Sequence, residues 1–118
     1  MRCGIIVDDA LIMRARLREI LEKDFSIVAE ASNGNEALEQ YEKYKPDFIT
    51  LDISMPQMDG MDALQKILDA HPDANIIIVS AVGQKQMVFK ALSIGARDFI
   101  VKPFEADRVL KSINRLFS

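Results

Sequence analysis

Polar residues stand at the ends of several short apolar runs in this chain of 118 residues. Asp8 and Asp9 follow the first run, Asp52 follows the third, Ser80 the fourth and Lys102 the fifth. In an open α/β sheet, ligands bind beyond the carboxyl ends of the strands. If the runs are parallel strands, we therefore expect these side chains to meet at one edge of a sheet.

The residue types at these positions predict phosphoryl transfer to an aspartate. Carboxylates that share a pocket repel one another and lose some of their ionisation unless a cation compensates. Mg²⁺ is typically held by one or two carboxylates together with waters and phosphate oxygens. A carboxylate can form an aspartyl phosphate as a nucleophile, and a lysine ammonium can neutralise the transferred group. One histidine and one cysteine leave no cluster that would suit zinc.

Each of these residues also has a simpler interpretation when it is taken alone. Asp8 and Asp9 could cap a helix, Asp52 could be a turn residue, Ser80 could be a cap, and Lys102 could be a solvated lysine. Their occurrence together at successive strand ends favours a shared site.

The remaining sequence alternates between two patterns that would position the site. Apolar runs predict strands at 5–7, 27–29, 48–51, 76–79 and 99–101. Stretches with a helical period predict helices at 10–23, 35–44, 61–70, 84–94 and 105–117. Several strands are apolar on both faces, as in a parallel sheet that helices cover on both sides. The prediction is one α/β domain over residues 1–118, a doubly wound parallel sheet of (βα)5 form.

Composition excludes several classes of protein. The chain is 49% hydrophobic and 28% charged, which is typical of a folded globular domain and not of a disordered one. A net charge of −3 is unlike that of a nucleic-acid binder. The apolar runs are too short to span a membrane. The single cysteine, Cys3, suits a reducing compartment, so we expect a cytoplasmic protein.

In its motifs the chain resembles the receiver domain of two-component response regulators over its whole length. The matching segments are 5–9, 51–56, 58–60, 80–81, 95–96, 98–99 and 101–104. Within that family it is most similar to the stand-alone chemotaxis regulators of the CheY type. The resemblance implies the flavodoxin-like strand order 2-1-3-4-5 of that type, which we carry over from the family.

The resemblance also implies a magnesium site. Asp52 matches the phospho-acceptor, Asp9 the direct Mg²⁺ ligand, and Asp8 the partner that acts largely through water. The main-chain carbonyl of Ser54 matches a further ligand of the ion.

Four other residues match the phosphate-binding and switching parts of a receiver. Lys102 matches the lysine that pairs with phosphate, Ser80 the hydroxyl switch residue and Phe99 the aromatic switch residue. Pro103 matches the proline that follows a cis peptide in this family.

The implied function is a signalling switch with no separate substrate turnover. The phosphodonor would be a histidine kinase, and the specific candidate is a chemotaxis kinase. The fourth helix, fifth strand and fifth helix would bind a flagellar motor switch protein or another output protein. A phosphatase is a possible further partner. We expect a monomer that binds neither nucleic acid nor a membrane.

Two alternatives stay open. The chain could be the receiver of a larger regulator, such as a chemotaxis methylesterase or a transcription factor, although its end soon after the last helix favours the stand-alone form. A Mg²⁺-dependent phosphatase of another α/β class would need an aspartate at position 54, where Ser54 stands.

Three residues depart from simple expectations. Gly4 occupies a strand position that is usually branched and apolar, so we expect weaker core packing there. Leu11 and Ile12 are unusually apolar for the start of the first helix. They either pack against the last helix or form a docking surface for the phosphodonor.

Overall fold

Strands and helices alternate along the chain in the computed structural model, which describes residues 1–118 apart from the side chain of Met58. The strands are Cys3–Val7 (β1), Ser26–Ala31 (β2), Phe48–Asp52 (β3), Ile76–Ser80 (β4) and Asp98–Val101 (β5). The helices are Leu11–Leu21 (α1), Gly34–Tyr44 (α2), Asp59–Ala70 (α3), Lys85–Ile94 (α4) and Ala106–Arg115 (α5). Each predicted element is present, and its ends differ from the prediction by one or two residues where they differ at all.

All the strand pairs that the structure describes are parallel, and the sheet has the order β2-β1-β3-β4-β5. The order that the resemblance implied is therefore confirmed. The chain reverses its direction of winding between β1 and β3, so the carboxyl ends of these two strands lie side by side at the switch point. This is the place where open α/β sheets bind ligands.

Two apolar cores cover the two faces of the sheet. One core packs α2, α3 and α4 against the sheet, and the other packs α1 and α5 against the opposite face. Every residue of β3 and of β4 is buried, because these central strands are covered on both sides. Alternate residues of each strand thus enter different cores.

Gly4 does not leave β1 loosely packed, and the expectation of weaker core packing there is wrong. The ring of Phe48 on the paired strand fills the space, and a Cβ atom on Gly4 would clash with its Cζ atom. Phe48 is fully buried and makes an edge-on contact with Phe25, with ring centroids 5.2 Å apart. The missing side chain of Gly4 is therefore what admits Phe48, the largest of the fully buried side chains.

A carboxylate ties β5 to α5. Oδ2 of Asp98 accepts a hydrogen bond from the hydroxyl of Ser112 at 2.7 Å, and Oδ1 accepts one from the main-chain N–H of Phe99 at 2.8 Å. The guanidinium groups of Arg108 and Arg115 lie 3.6 and 3.7 Å away. Burial alone would raise the pKa of Asp98, but the hydrogen bonds and Arg108 together outweigh it, so the pKa is lowered.

No helix within the described residues is long and apolar enough to cross a bilayer. The cytoplasmic location stays a prediction.

We predict that Gly4→Ala lowers the free energy of unfolding by about 1–3 kcal/mol, because the added methyl group must displace a close-packed ring. Chemical denaturation would measure this loss. The same substitution should cost clearly less in a Phe48→Leu background, where the ring is absent. Equal costs in the two backgrounds would contradict the assigned contact.

We predict that Asp98→Asn lowers the free energy of unfolding at pH 7 by about 1 kcal/mol, since the charge-assisted hydrogen bonds weaken. The native pKa of Asp98 lies below its ordinary value, so this stability is present above the unfolded pKa and is lost as the pH falls through the native one. The difference from wild type should therefore shrink below about pH 4. Asp73→Asn, an exposed turn substitution, is the control, and a difference independent of pH would contradict the assignment.

Candidate functional site

Three carboxylates meet where β1 and β3 end. Asp8, Asp9 and Asp52 each offer an oxygen, and these oxygens lie within 4.8 Å of one another. Asp8 and Asp52 are buried, with 0% and 1% of their surface exposed, whereas Asp9 is exposed. Pairing of Val7 with Leu51 sets this juxtaposition, because it places the two strand ends in register.

Lys102 bridges the two buried carboxylates. Its Nζ atom lies 3.0 Å from Oδ2 of Asp8 and 3.2 Å from Oδ2 of Asp52. Burial acts to lower the pKa of the ammonium, but the hydrogen bonds and charges of both aspartates outweigh it and raise the pKa. The lysine therefore stays charged in the site.

The site has less positive charge than its carboxylates require. Burial raises the pKa of Asp8, and the neighbouring carboxylate of Asp52 adds to the rise. The N–H of Ala10 and the ammonium of Lys102 oppose it without cancelling it. One ammonium against three carboxylates leaves room for a further cation, and an all-oxygen donor set suits a hard divalent ion.

Asp52 is held at both oxygens. Oδ1 accepts hydrogen bonds from the main-chain N–H of Ser54, at 2.8 Å, and from the Ser54 hydroxyl, while Oδ2 faces Lys102. The hydroxyl contact is one that the sequence reasoning missed. A serine two residues after an aspartate is a signal that could have found it, since side chains of this kind bond locally in turns. The role of the Ser54 carbonyl as a metal ligand stays a prediction.

Asp8 and Asp9 do not cap α1. The residue at the cap position is Ala10, and the helix start has no side-chain hydrogen bond among the described residues. Oδ1 of Asp8 instead accepts from the N–H of Ala10 at 2.8 Å, in the turn before the helix. A second contact that the sequence reasoning missed holds the same turn, because Arg14 donates to the carbonyl of Asp8 at 2.7 Å and to Glu30 at 3.0 Å.

Ser80 lies on the side of the site towards α4. It is 1% exposed, and its hydroxyl has no hydrogen-bond partner among the described residues. It lines an apolar cavity of about 270 Å³ together with Val88, Phe89, half-buried Phe99 and Val101. A buried hydroxyl without a partner is available to a ligand that enters the site.

Exposed apolar side chains follow the ends of β1 and β4 in the sequence. Leu11 and Ile12 are 71% and 78% exposed, so packing against the last helix is wrong for both. Val82, beyond the end of β4, is also 78% exposed. The interpretation of Leu11 and Ile12 as a docking surface remains.

Comparisons with known proteins agree with this architecture. The family model for the response regulator receiver domain matches residues 5–114. Chemotaxis protein CheY of Bacillus subtilis is 53% identical over 112 residues, which cover 94% of this chain and 93% of that protein. A chain in the crystal structure of the CheX-CheY-BeF3-Mg+2 complex from Borrelia burgdorferi superposes with a TM-score of 0.93 and 36% identity, over 99% of this chain and 90% of that one.

A longer protein matches as well. The protein-glutamate methylesterase/protein-glutamine glutaminase 2 of Carboxydothermus hydrogenoformans is 47% identical over 103 residues, which cover 84% of this chain but 29% of that protein. The family match extends over almost the whole chain, and relatives of similar length exceed half identity. This chain belongs to the response regulator receiver domain family.

Proposed function

We propose that this protein is a signalling switch that accepts a phosphoryl group on Asp52. The proposal rests on the environment of the Asp52 carboxylate. This carboxylate is buried and hydrogen-bonded at both oxygens. The ammonium of Lys102, which is one of its partners, also contacts Asp8. Such an arrangement fixes a nucleophile and positions a positive charge beside it, the two requirements of phosphoryl transfer.

The donor that suits this site is a phosphohistidine of a histidine kinase, with a chemotaxis kinase as the specific candidate. An oxygen of Asp52 attacks phosphorus, a P–O bond forms, and the P–N bond of the donor breaks with its electron pair left on the imidazole nitrogen. Lys102 faces the same carboxylate and offers its ammonium to an oxygen of the transferred group. The exposed side chains of Leu11 and Ile12 offer the kinase an apolar docking surface beside the site.

The donor set fits magnesium. Asp8, Asp9 and Asp52, with the carbonyl of Ser54, would hold the ion. When bound, Mg²⁺ would supply positive charge to the phosphoryl oxygens and to the carboxylates. The charge deficit of the site supports this assignment, because burial and Asp52 raise the pKa of Asp8.

Phosphate on Asp52 would act on the surface formed by α4, β5 and α5. It adds about −1.5 to −2 charges and new acceptor oxygens. Ser80 ends β4, the strand next to β3 in the sheet, and its hydroxyl is free among the described residues to donate to this phosphate. Movement of Ser80 towards the phosphate would let the ring of Phe99 enter the cavity that the two residues already share.

The output partner we propose is a flagellar motor switch protein, bound through a short amphipathic peptide. Phe89, at 58% exposure, and Val101, at 38%, give this surface an apolar centre, and Lys85 adds a basic rim. A phosphatase is a further candidate partner, and the Borrelia structure has a CheY chain in complex with a second protein, CheX.

The methylesterase match supports a second candidate, in which this receiver regulates a larger enzyme. The two candidates share the chemistry at Asp52 and differ in the partner of the α4–β5–α5 surface. A motor-switch peptide therefore distinguishes them.

We predict that Asp9→Ala slightly raises the stability of the metal-free protein, since it removes one of three crowded carboxylates. Magnesium should stabilise wild type against heat through linkage, and this stabilisation should largely disappear in the variant. Thermal unfolding over a magnesium titration measures both effects. Asp73→Ala, which removes a carboxylate from an exposed turn, should respond to magnesium as wild type does. An unchanged magnesium response in Asp9→Ala would reject the ligand assignment.

We predict that wild type gains one phosphate from acetyl phosphate and magnesium, and that Asp52→Asn gains essentially none, because the amide lacks the attacking oxyanion. Intact mass spectrometry at acidic pH detects the phosphate, and mild base should release it. Asp62→Asn, an exposed position on α3, should be labelled like wild type. Equal labelling of Asp52→Asn and wild type would place the chemistry elsewhere.

We predict that a peptide from the N-terminus of a flagellar motor switch protein binds several-fold more tightly to the phosphorylated form. Ser80→Ala should reduce this difference and leave Asp52 able to accept phosphate, because the alanine cannot donate to the phosphate. Peptide titrations of both forms, with phosphorylation verified by mass, measure the effect. Ser93→Ala removes an exposed hydroxyl of α4 and is the control. Identical affinities in the two states of wild type would favour the receiver of a larger enzyme.

A further inference from the structure

Phe99 lies on the edge strand of the sheet, and side chains hold its main chain. β5 ends the strand order and has β4 on one side. The N–H of Phe99 donates to Oδ1 of Asp98 at 2.8 Å, and its carbonyl accepts from Nη2 of Arg108 at 2.6 Å. The backbone that carries this ring is thus fixed by two charged side chains.

Arg108 reaches Phe99 from the opposite face of the sheet. α5 packs through Val109 and Ile113 into the core that it shares with α1, whereas the ring of Phe99 packs against the core of α3 and α4. The guanidinium therefore passes around the edge strand. Its carbon lies 6.0 Å from the centroid of the Phe99 ring, which is the outer limit of a cation–π contact.

One contact stabilises the position of the Arg108 guanidinium, and one unpaired nitrogen destabilises it. Nη2 of Arg108 also lies 3.6 Å from Oδ1 of Asp98, and Ser112 holds the other oxygen of that carboxylate. Nη1 of Arg108 is buried and has no hydrogen-bond partner among the described residues. A buried donor without a partner destabilises this arrangement, and the planar guanidinium cannot turn that nitrogen away without releasing Phe99. The contact of Arg108 with Phe99 is therefore opposed by the unpaired Nη1 atom.

We propose that Arg108 is a positioning residue for Phe99, which holds the aromatic side chain in its half-buried conformation and so sets the equilibrium of the switch. This inference rests on the proposed function, in which the ring of Phe99 enters the cavity beside Ser80. A ring that turns into the cavity leaves the guanidinium. A ligand that favours the turned form must then compete with Arg108, which lowers its apparent affinity.

Beryllofluoride with magnesium, a mimic of the phosphoryl group, is the probe for the test. We would titrate it into wild type, Arg108→Met, Arg108→Lys and Lys111→Met. Lys111 is exposed on the same helix, so Lys111→Met removes one positive charge without touching Phe99. Arg108→Met should bind beryllofluoride roughly five- to tenfold more tightly than the control, at the lower end of the usual coupling between sites.

A second measurement reports the ring directly. In protein with ¹³C-labelled phenylalanine, the Phe99 resonance is assigned by its loss in Phe99→Leu. In free Arg108→Met this resonance should move towards the position that beryllofluoride produces in wild type. A merely structural role of Arg108 would lower stability but would not move the resonance along that line.

The outcomes separate the inference from the proposed function. If wild type responds to beryllofluoride and Arg108→Met matches Lys111→Met in affinity and ring position, the role of Arg108 is rejected and the proposed function stands. If wild type does not respond, both are rejected. Should Arg108→Met fail to fold, Arg108→Lys decides, because its ammonium lacks the planar group over the ring. The proposal is supported if Arg108→Lys binds beryllofluoride more tightly and its Phe99 resonance moves in the same direction. It is rejected if Arg108→Lys matches Lys111→Met in both measurements.

Discussion

The ammonium of Lys102 between Asp8 and Asp52 is the interaction on which the site depends. Two buried carboxylates cannot both stay ionised side by side without a positive charge. That charge comes from the segment after β5, two strands away from β3 in the sheet order. The sheet must therefore keep the ends of β1, β3 and β5 at one level, and the fully buried central strands provide that rigidity. The fold thus holds the ammonium of Lys102 between Asp8 and Asp52.

Much of this arrangement follows from local patterns in the sequence. Alternation of apolar runs with helical periods predicted the elements, and polar residues at strand ends predicted which edge carries the site. What the sequence could not reveal were pairings between distant residues, such as Gly4 with Phe48 and Asp98 with Ser112. Such pairs depend on register and on which helix covers which face. For Leu11 the sequence left packing and docking both open, because an apolar side chain need not be buried.

The two faces of the sheet give the site two distinct neighbourhoods. Ser80 and Phe99 line a cavity on the side of α4, whereas Arg108 belongs to a helix on the opposite side. Alternation of side chains along a strand separates the faces, and side chains from the two faces can meet at a strand end or around an edge. The structure has a contact of each kind: Lys102 joins strand ends at the site, and Arg108 passes around β5.

The side-chain contacts on β5 also affect whether a strand of another molecule can pair with this edge of the sheet. An edge strand with free N–H and carbonyl groups is a template for pairing with another chain, and natural proteins blunt such edges with charged residues. At Phe99 both backbone groups are already bonded, to Asp98 and to Arg108. A strand from a second molecule would have to displace a carboxylate and a guanidinium before it could add to the sheet there. The same contacts that hold the main chain of Phe99 thus block backbone pairing at this point of the edge.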